Sequence, residues 1–294
     1  MKSAALSSIS MIPSPLAYAN RVDTQIKALL QQLDSLGPKS TRKEIHDLRV
    51  LSRRSRASLQ ILLRWIPSSR AKKLEKRIEE ITALLGPVRS LDVSQVDLKK
   101  HLEKWSLPPS SFDFLMGRLK RRRKLARKKL IRQIKKQKTL SRLKKLAPLN
   151  RSKEDPSLSF TEVLLEETQT TGERLLKVWA RFERKKKISR LHEVRIELKK
   201  WRYLLEIQSE FTGSPSEAHL KEVKTVQDRL GLIHDAEVLN ELLGKRRILK
   251  KAPRGAGLVR LRDRLGSEIK TGVDSFHKEG EKILLQLFTE RTGA

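Results

Sequence analysis

Two stretches of the chain place a histidine ahead of three cationic residues at the same intervals. The first is His46, Arg49, Arg53 and Arg56; the second, 146 residues on, is His192, Arg195, Lys199 and Arg202. At about 100° per residue on a helix, each set falls within an arc of roughly 80°, and Arg42 joins the first. Arginine offers a planar fork of N–H donors to phosphate oxygens and lysine a compact charge, so such a stripe suits a ligand with repeating anionic groups. Neither stripe holds an acid, because Asp47, Glu193 and Glu197 project from other faces. A helix face that needs only solvation usually mixes both signs at neighbouring positions. The histidines suit hydrogen-bond donation to an anion or a structural role. Catalysis would need a nucleophile or a metal-activated water beside them. The stripes have no carboxylates to hold a metal, and His101, His219 and His277 show no ligand spacing. No metal or other cofactor is expected, and no glycine-rich phosphate loop is present.

The positioning elements are helices. Ile45, Leu48, Leu59 and Leu62 lie opposite the first stripe, and Leu191, Val194, Leu198, Trp201 and Leu205 opposite the second. Each helix is therefore half core and half cationic rail. Helical periodicity runs through the whole chain, starting with Val22, Ile26, Leu29, Leu30 and Leu33 and stopped by Gly37-Pro38. It predicts further helices over about 40–65, 68–85, 92–105, 111–137 with a turn to 146, 158–184, 189–211, 215–230, 235–250 and 256–290. No stretch alternates with period two, so the fold class is all-α.

The duplication extends beyond the histidine helices. Residues 85–93, LGPVRSLDV, match 230–238, LGLIHDAEV, at an offset of 145. Two separated blocks in one order argue for an internal repeat, with halves over 15–147 and 158–290 joined by a linker at 147–157. Gly86 and Gly231 are read as helix C-termini, with Ser90 or Asp92, and Asp235, as caps of the helices that follow.

Composition narrows the ligand. The chain has 294 residues with 66 Lys+Arg against 34 Asp+Glu, a formal charge of +32 that resists compaction unless a polyanion offsets it. From Phe114 through Lys153 there are 18 basic residues and no acid, yet Leu115, Leu119, Ala126, Leu130 and Ile134 keep a helical stripe. Like charges at i,i+4 destabilise a helix that lacks a counter-charge. Aromatic residues are 4%, too few for stacking platforms along single-stranded nucleic acid, and no zinc-finger or helix-turn-helix spacing is present. Nucleic acid remains an alternative partner, bound non-specifically. There is no cysteine and no apolar run long enough to span a bilayer, so no membrane association is expected. Residues 1–14 are read as a flexible N-terminus; the start faintly resembles a signal peptide, but Pro13 and Pro15 break its apolar stretch.

The four blocks, His46–Arg56, Leu85–Val93, His192–Arg202 and Leu230–Asp235, with Pro15-Leu16 ahead of them, resemble the CHAD domain family, the conserved histidine α-helical domain, over about residues 15–290. The resemblance implies two four-helix bundles related by an internal pseudo-two-fold repeat, with long helices and a central basic cleft or pore. It implies non-enzymatic binding of inorganic polyphosphate, in the cytoplasm or at polyphosphate granules. Carried over by position, the ligand residues are His46, Arg49, Arg53, Arg54, Arg56, His192, Arg195, Lys199, Lys200 and Arg202. Arg42, Arg89, Arg118, Arg122, Arg123 and Lys129 are secondary candidates. Two departures stand out: Ser90 replaces the family's aspartate, and Lys199-Lys200 replaces the arginine pair of the first half. The E-x-E-x-K signature of the triphosphate-tunnel domain found in many relatives is absent. The family resemblance identifies no protein partner.

Overall fold

The computed structural model describes residues 12–65, 68–105, 108–136, 139–146, 149, 158–244 and 257–289. Residues 1–11 of the expected N-terminus, nearly all of the linker at 147–157 and the end of the helix expected over 235–250 lie outside them. The described residues contain helices and no strand: α1 (Pro15–Asp34), α2 (Arg42–Trp65), α3 (Ser69–Trp105), α4 (Pro109–Lys136), α5 (Thr139–Leu146), α6 (Phe160–Lys185), α7 (Ile188–Thr212), α8 (Glu217–Leu243) and α9 (Leu258–Thr289).

Local chemistry sets several boundaries. Ser14 caps α1 by accepting from Ala17 N–H, with Pro15 at the first helical position, where its missing donor costs nothing. Ser159 and Glu162 form a reciprocal capping box at α6. Gly213 ends α7 at φ 72°, a left-handed conformation that glycine adopts without a side-chain clash.

The helix breaks expected at Gly86-Pro87 and Gly231 do not occur. α3 runs unbroken through Pro87, and α8 through Gly231. Ser90, Asp92 and Asp235 are consequently mid-helix residues and cap nothing. Pro87 has no N–H for the carbonyl of Ala83, so tertiary contacts must outweigh that loss. Leu85 and Val88 are fully buried on either side, and Arg49 Nη1 donates to the neighbouring Thr82 carbonyl at 2.8 Å. Gly86 leaves room for this approach; a Cβ there would lie 3.5 Å from Arg49 Nη1.

The apolar faces close into three clusters. The first joins α1, α2 and α3 to the ends of α6 and α7, where Tyr18, Trp65, Phe160 and Phe211 pack with ring centroids 4.8 to 6.2 Å apart. The second joins α6, α7, α8 and α9, and the third joins α3 and α4 to α8 and α9. α2 packs on α3, α7 on α8, and α3 on α8. That chain of contacts brings the histidine helices α2 and α7 together with α3 and α8, and α2 and α7 also touch.

Candidate functional site

The apolar side of each histidine helix is buried as its pattern predicts. Ile45, Leu48, Leu59 and Leu62 line the first core cluster; Leu191, Val194, Leu198, Trp201 and Leu205 line the second. With those faces fixed inward, the cationic rails are forced toward one another and toward the middle of α3 and α8.

What meets there is a group of basic side chains from both halves. The charges of Arg53, Arg195 and Arg89 all act on Arg49, and those of Arg195, Arg53 and Arg49 on Lys199. Arg49 spends one donor on the Thr82 carbonyl. Arg53, Arg89, Arg195 and Lys199 have no ion-pair partner among the described residues, and Arg195 Nε is buried without a hydrogen bond. The rail acids stay out: Asp47 pairs with Lys43 at 2.6 Å, Glu193 with Arg190 at 2.6 Å and Glu197 with Lys200 at 2.6 Å, each on its own helix.

Burial and like charge push the same way here. Burial first, then Arg195, Arg53 and Arg49, lowers the Lys199 ammonium to about 6. Burial and Arg53 lower Arg49 to about 10. His192 and His234 lie with ring centroids 4.7 Å apart. Burial, reinforced by Arg195, His192 and Lys199, takes His234 down to about 3. Burial also lowers His192, with help from Arg195, and His46, with help from Arg89. At neutral pH the three histidines are uncharged donors and acceptors.

Two carboxylates border the group. Asp235 is raised by burial despite the opposing charges of Arg195 and Lys199. Asp97 rises to about 6 through burial and the charge of Asp235. Sequence reasoning assigned Asp235 to a helix cap and did not single out Asp97 or His234. For His234 and Asp235 the signal was the repeated block itself, in which Arg89 matches His234 and Ser90 matches Asp235; Asp97 lies outside that block. Its residues face the site because α3 and α8 continue through it.

The other sequence candidates lie elsewhere. Arg54 pairs with Glu206 of α7 at 3.6 Å, and Arg56 with Glu79 at 2.9 Å and Glu75 at 3.4 Å of α3. Arg202 bonds Gln227 at 2.9 Å, pairs with Glu206 and lies 4.5 Å from the Tyr203 ring centroid. Lys200 is exposed beside Glu197. Arg42 and Arg123 converge on the buried carboxylate of Asp92. Arg118 packs over Phe114 at 5.2 Å, and Arg122 and Lys129 are exposed on α4. No group of three or more histidines and acids among the described residues could hold a metal ion, and no described helix is long and apolar enough to cross a membrane.

Comparison with known proteins agrees with this architecture. The sequence profile of the CHAD domain matches residues 20–244. The crystal structure of the CHAD domain from the plant Ricinus communis superposes with a TM-score of 0.62 at 20% identity, covering 93% of this chain and 95% of that one. PptA from Streptomyces chartreusis superposes with a TM-score of 0.67 at 16% identity, covering 94% and 99%. No curated protein matches the sequence.

Proposed function

Because the chain belongs to the CHAD domain family, we propose that it binds inorganic polyphosphate without turning it over, in the central cleft between α2, α3, α7 and α8. The observation that carries this reading is the convergence of Arg49, Arg53, Arg89, Arg195 and Lys199, from both halves of the chain, with no carboxylate among the described residues at ion-pair distance from any of them and Asp235 as the one acid whose charge acts on both Arg195 and Lys199. Such a group is costly to hold in isolation and becomes favourable when an anion enters. Several phosphates in series match several cations in series. Neutral His46, His192 and His234 supply hydrogen bonds at the rim and take up protons as the anion arrives.

Arg54, Arg56, Lys200 and Arg202 act as an outer shell that a long chain recruits from their present carboxylate partners. The cations of α4, half-buried Arg118 and exposed Arg122 and Lys129 among them, raise the local anion concentration. Such a binder acts in the cytoplasm, at polyphosphate granules.

The test is a calorimetric titration with long-chain polyphosphate across a salt series, with duplex DNA as competitor. Each neutralised phosphate releases counterion, so log affinity should fall steeply with log salt, by analogy with nucleic acids up to about 0.9 per contact. Arg49→Glu with Arg195→Glu should abolish binding at this central group while circular dichroism stays unchanged. A flat salt response, or displacement by DNA at equal charge concentration, would refute the assignment, the latter in favour of a general polyanion binder.

A further inference from the structure

Apart from the central group, a cationic cavity of about 400 Å³ opens where the α1–α2 loop meets α3 and α4. Lys39, Arg42, Lys120, Arg123, Lys124 and Arg127 line it. Its arginines are anchored. Arg123 is held by the fully buried carboxylate of Asp92, which also pairs with Arg42 at 3.6 Å. Arg42 Nη2 donates to Gln95 Oε1 at 2.8 Å, and Arg127 Nη1 donates to the Ser40 carbonyl at 3.0 Å. Each guanidinium carries five N–H donors, and these bonds use only part of each fork. Lys39, Lys120 and Lys124 have no ion-pair partner among the described residues, and Lys120 and Lys124 repel each other at i,i+4. The N-terminus of α2 is not the attraction, since the Thr41 N–H is already taken by Glu44 at 2.6 Å.

One cationic face of α2 runs from this cavity to the central group. Arg42, His46, Arg49 and Arg53 share one face of α2, and on α3 Asp92 lies one turn beyond Arg89. Over Arg42 to Arg53 this face extends about 16 Å at 1.5 Å per residue.

We propose that this cavity is a second oxyanion subsite, which takes the phosphates of a polyphosphate chain leaving the central cleft along the cationic face of α2. This rests on the function proposed above. It makes affinity depend on chain length: a short oligophosphate occupies one subsite at a time, whereas a long chain occupies both and gains the effective concentration of a tethered ligand.

The experiment titrates tripolyphosphate and long-chain polyphosphate into four proteins whose fold is checked by circular dichroism. These are the wild type, Lys120→Glu with Lys124→Glu, Arg49→Glu with Arg195→Glu, and a charge-matched control, Lys177→Glu with Lys224→Glu on α6 and α8. Wild type and control should take two tripolyphosphates and each of the other variants one. Long-chain affinity should drop about tenfold or more in the Lys120/Lys124 variant relative to the control, with the salt slope reduced by roughly 2. If that variant still takes two tripolyphosphates and matches the control with the long chain, the second subsite is wrong and the central cleft stands. If the Arg49/Arg195 variant still takes two, the central cleft fails and the proposed path along α2 with it.

Discussion

Lys199 is held as a half-buried amine among arginines, and its chemistry decides how the site responds to pH. Its pKa in the folded chain is about 6 against 10.5 for an unperturbed lysine, so between those values the unfolded chain binds more protons than the native one. Ligand-free stability therefore rises with pH across that window and falls as pH drops toward 6. His46, His192 and His234, all lowered, add the same sign below about 6.5. The melting temperature of the free protein should be higher at pH 9 than at pH 7. Lys199→Met should raise it at pH 7 and flatten the dependence, while weakening polyphosphate binding. Binding has the complementary sign. An anion raises the pKa of each of these groups, so complex formation takes up protons and affinity should increase from pH 8 to pH 6. Protonation of Asp97, with its pKa near 6, removes a negative charge in the same range. Isothermal titrations in buffers of different ionisation enthalpy would count the protons taken up; equal affinity at the two pH values would contradict this account.

At the scale of elements, a glycine and a proline show packing overriding local preference. Gly172 of α6 faces the stacked Trp201–Phe288 pair, whose ring centroids are 4.6 Å apart. A Cβ there would overlap the Phe288 ring and come within 3.1 Å of Trp201 Nε1. Helix propensity favours alanine over glycine, but overpacking costs roughly 1–3 kcal/mol and wins. Gly172→Ala should lower the urea midpoint by a corresponding amount. Pro87 has the opposite balance: its side chain is exposed, and it removes a helical donor from α3. Pro87→Ala should restore that hydrogen bond and stabilise the fold by about 1–3 kcal/mol, with polyphosphate affinity unchanged.

For the molecule as a whole, an excess charge of +32 is a standing destabilisation that a polyanion relieves. Long-chain polyphosphate at about 100 times its dissociation constant should stabilise the native state by roughly 2.7 kcal/mol. In a thermal-shift measurement that is an upward move of the melting temperature, lost as salt is raised. The aromatic cluster of Tyr18, Trp65, Phe160 and Phe211 joins α1 and α2 to α6 and α7, so both halves should melt in one transition.

The amphipathic periods of 40–65 and 189–211 determined by themselves that two helices bury one side and present arginine and lysine on the other, because helical pitch converts residue spacing into direction. The sequence also determined the family, through four ordered blocks that no charge average would produce. It misjudged Gly86-Pro87 and Gly231 as helix ends, since glycine and proline report local preference only, and buried Leu85, Val88 and Leu230 carry α3 and α8 through them. Tertiary structure alone decided which cations meet. Arg53 and Arg56 stand on one rail three residues apart, yet Arg53 joins the central group and Arg56 turns to Glu75 and Glu79. That choice depends on which carboxylates the neighbouring helix brings within reach, a fact of packing between elements that spacing along one helix does not contain.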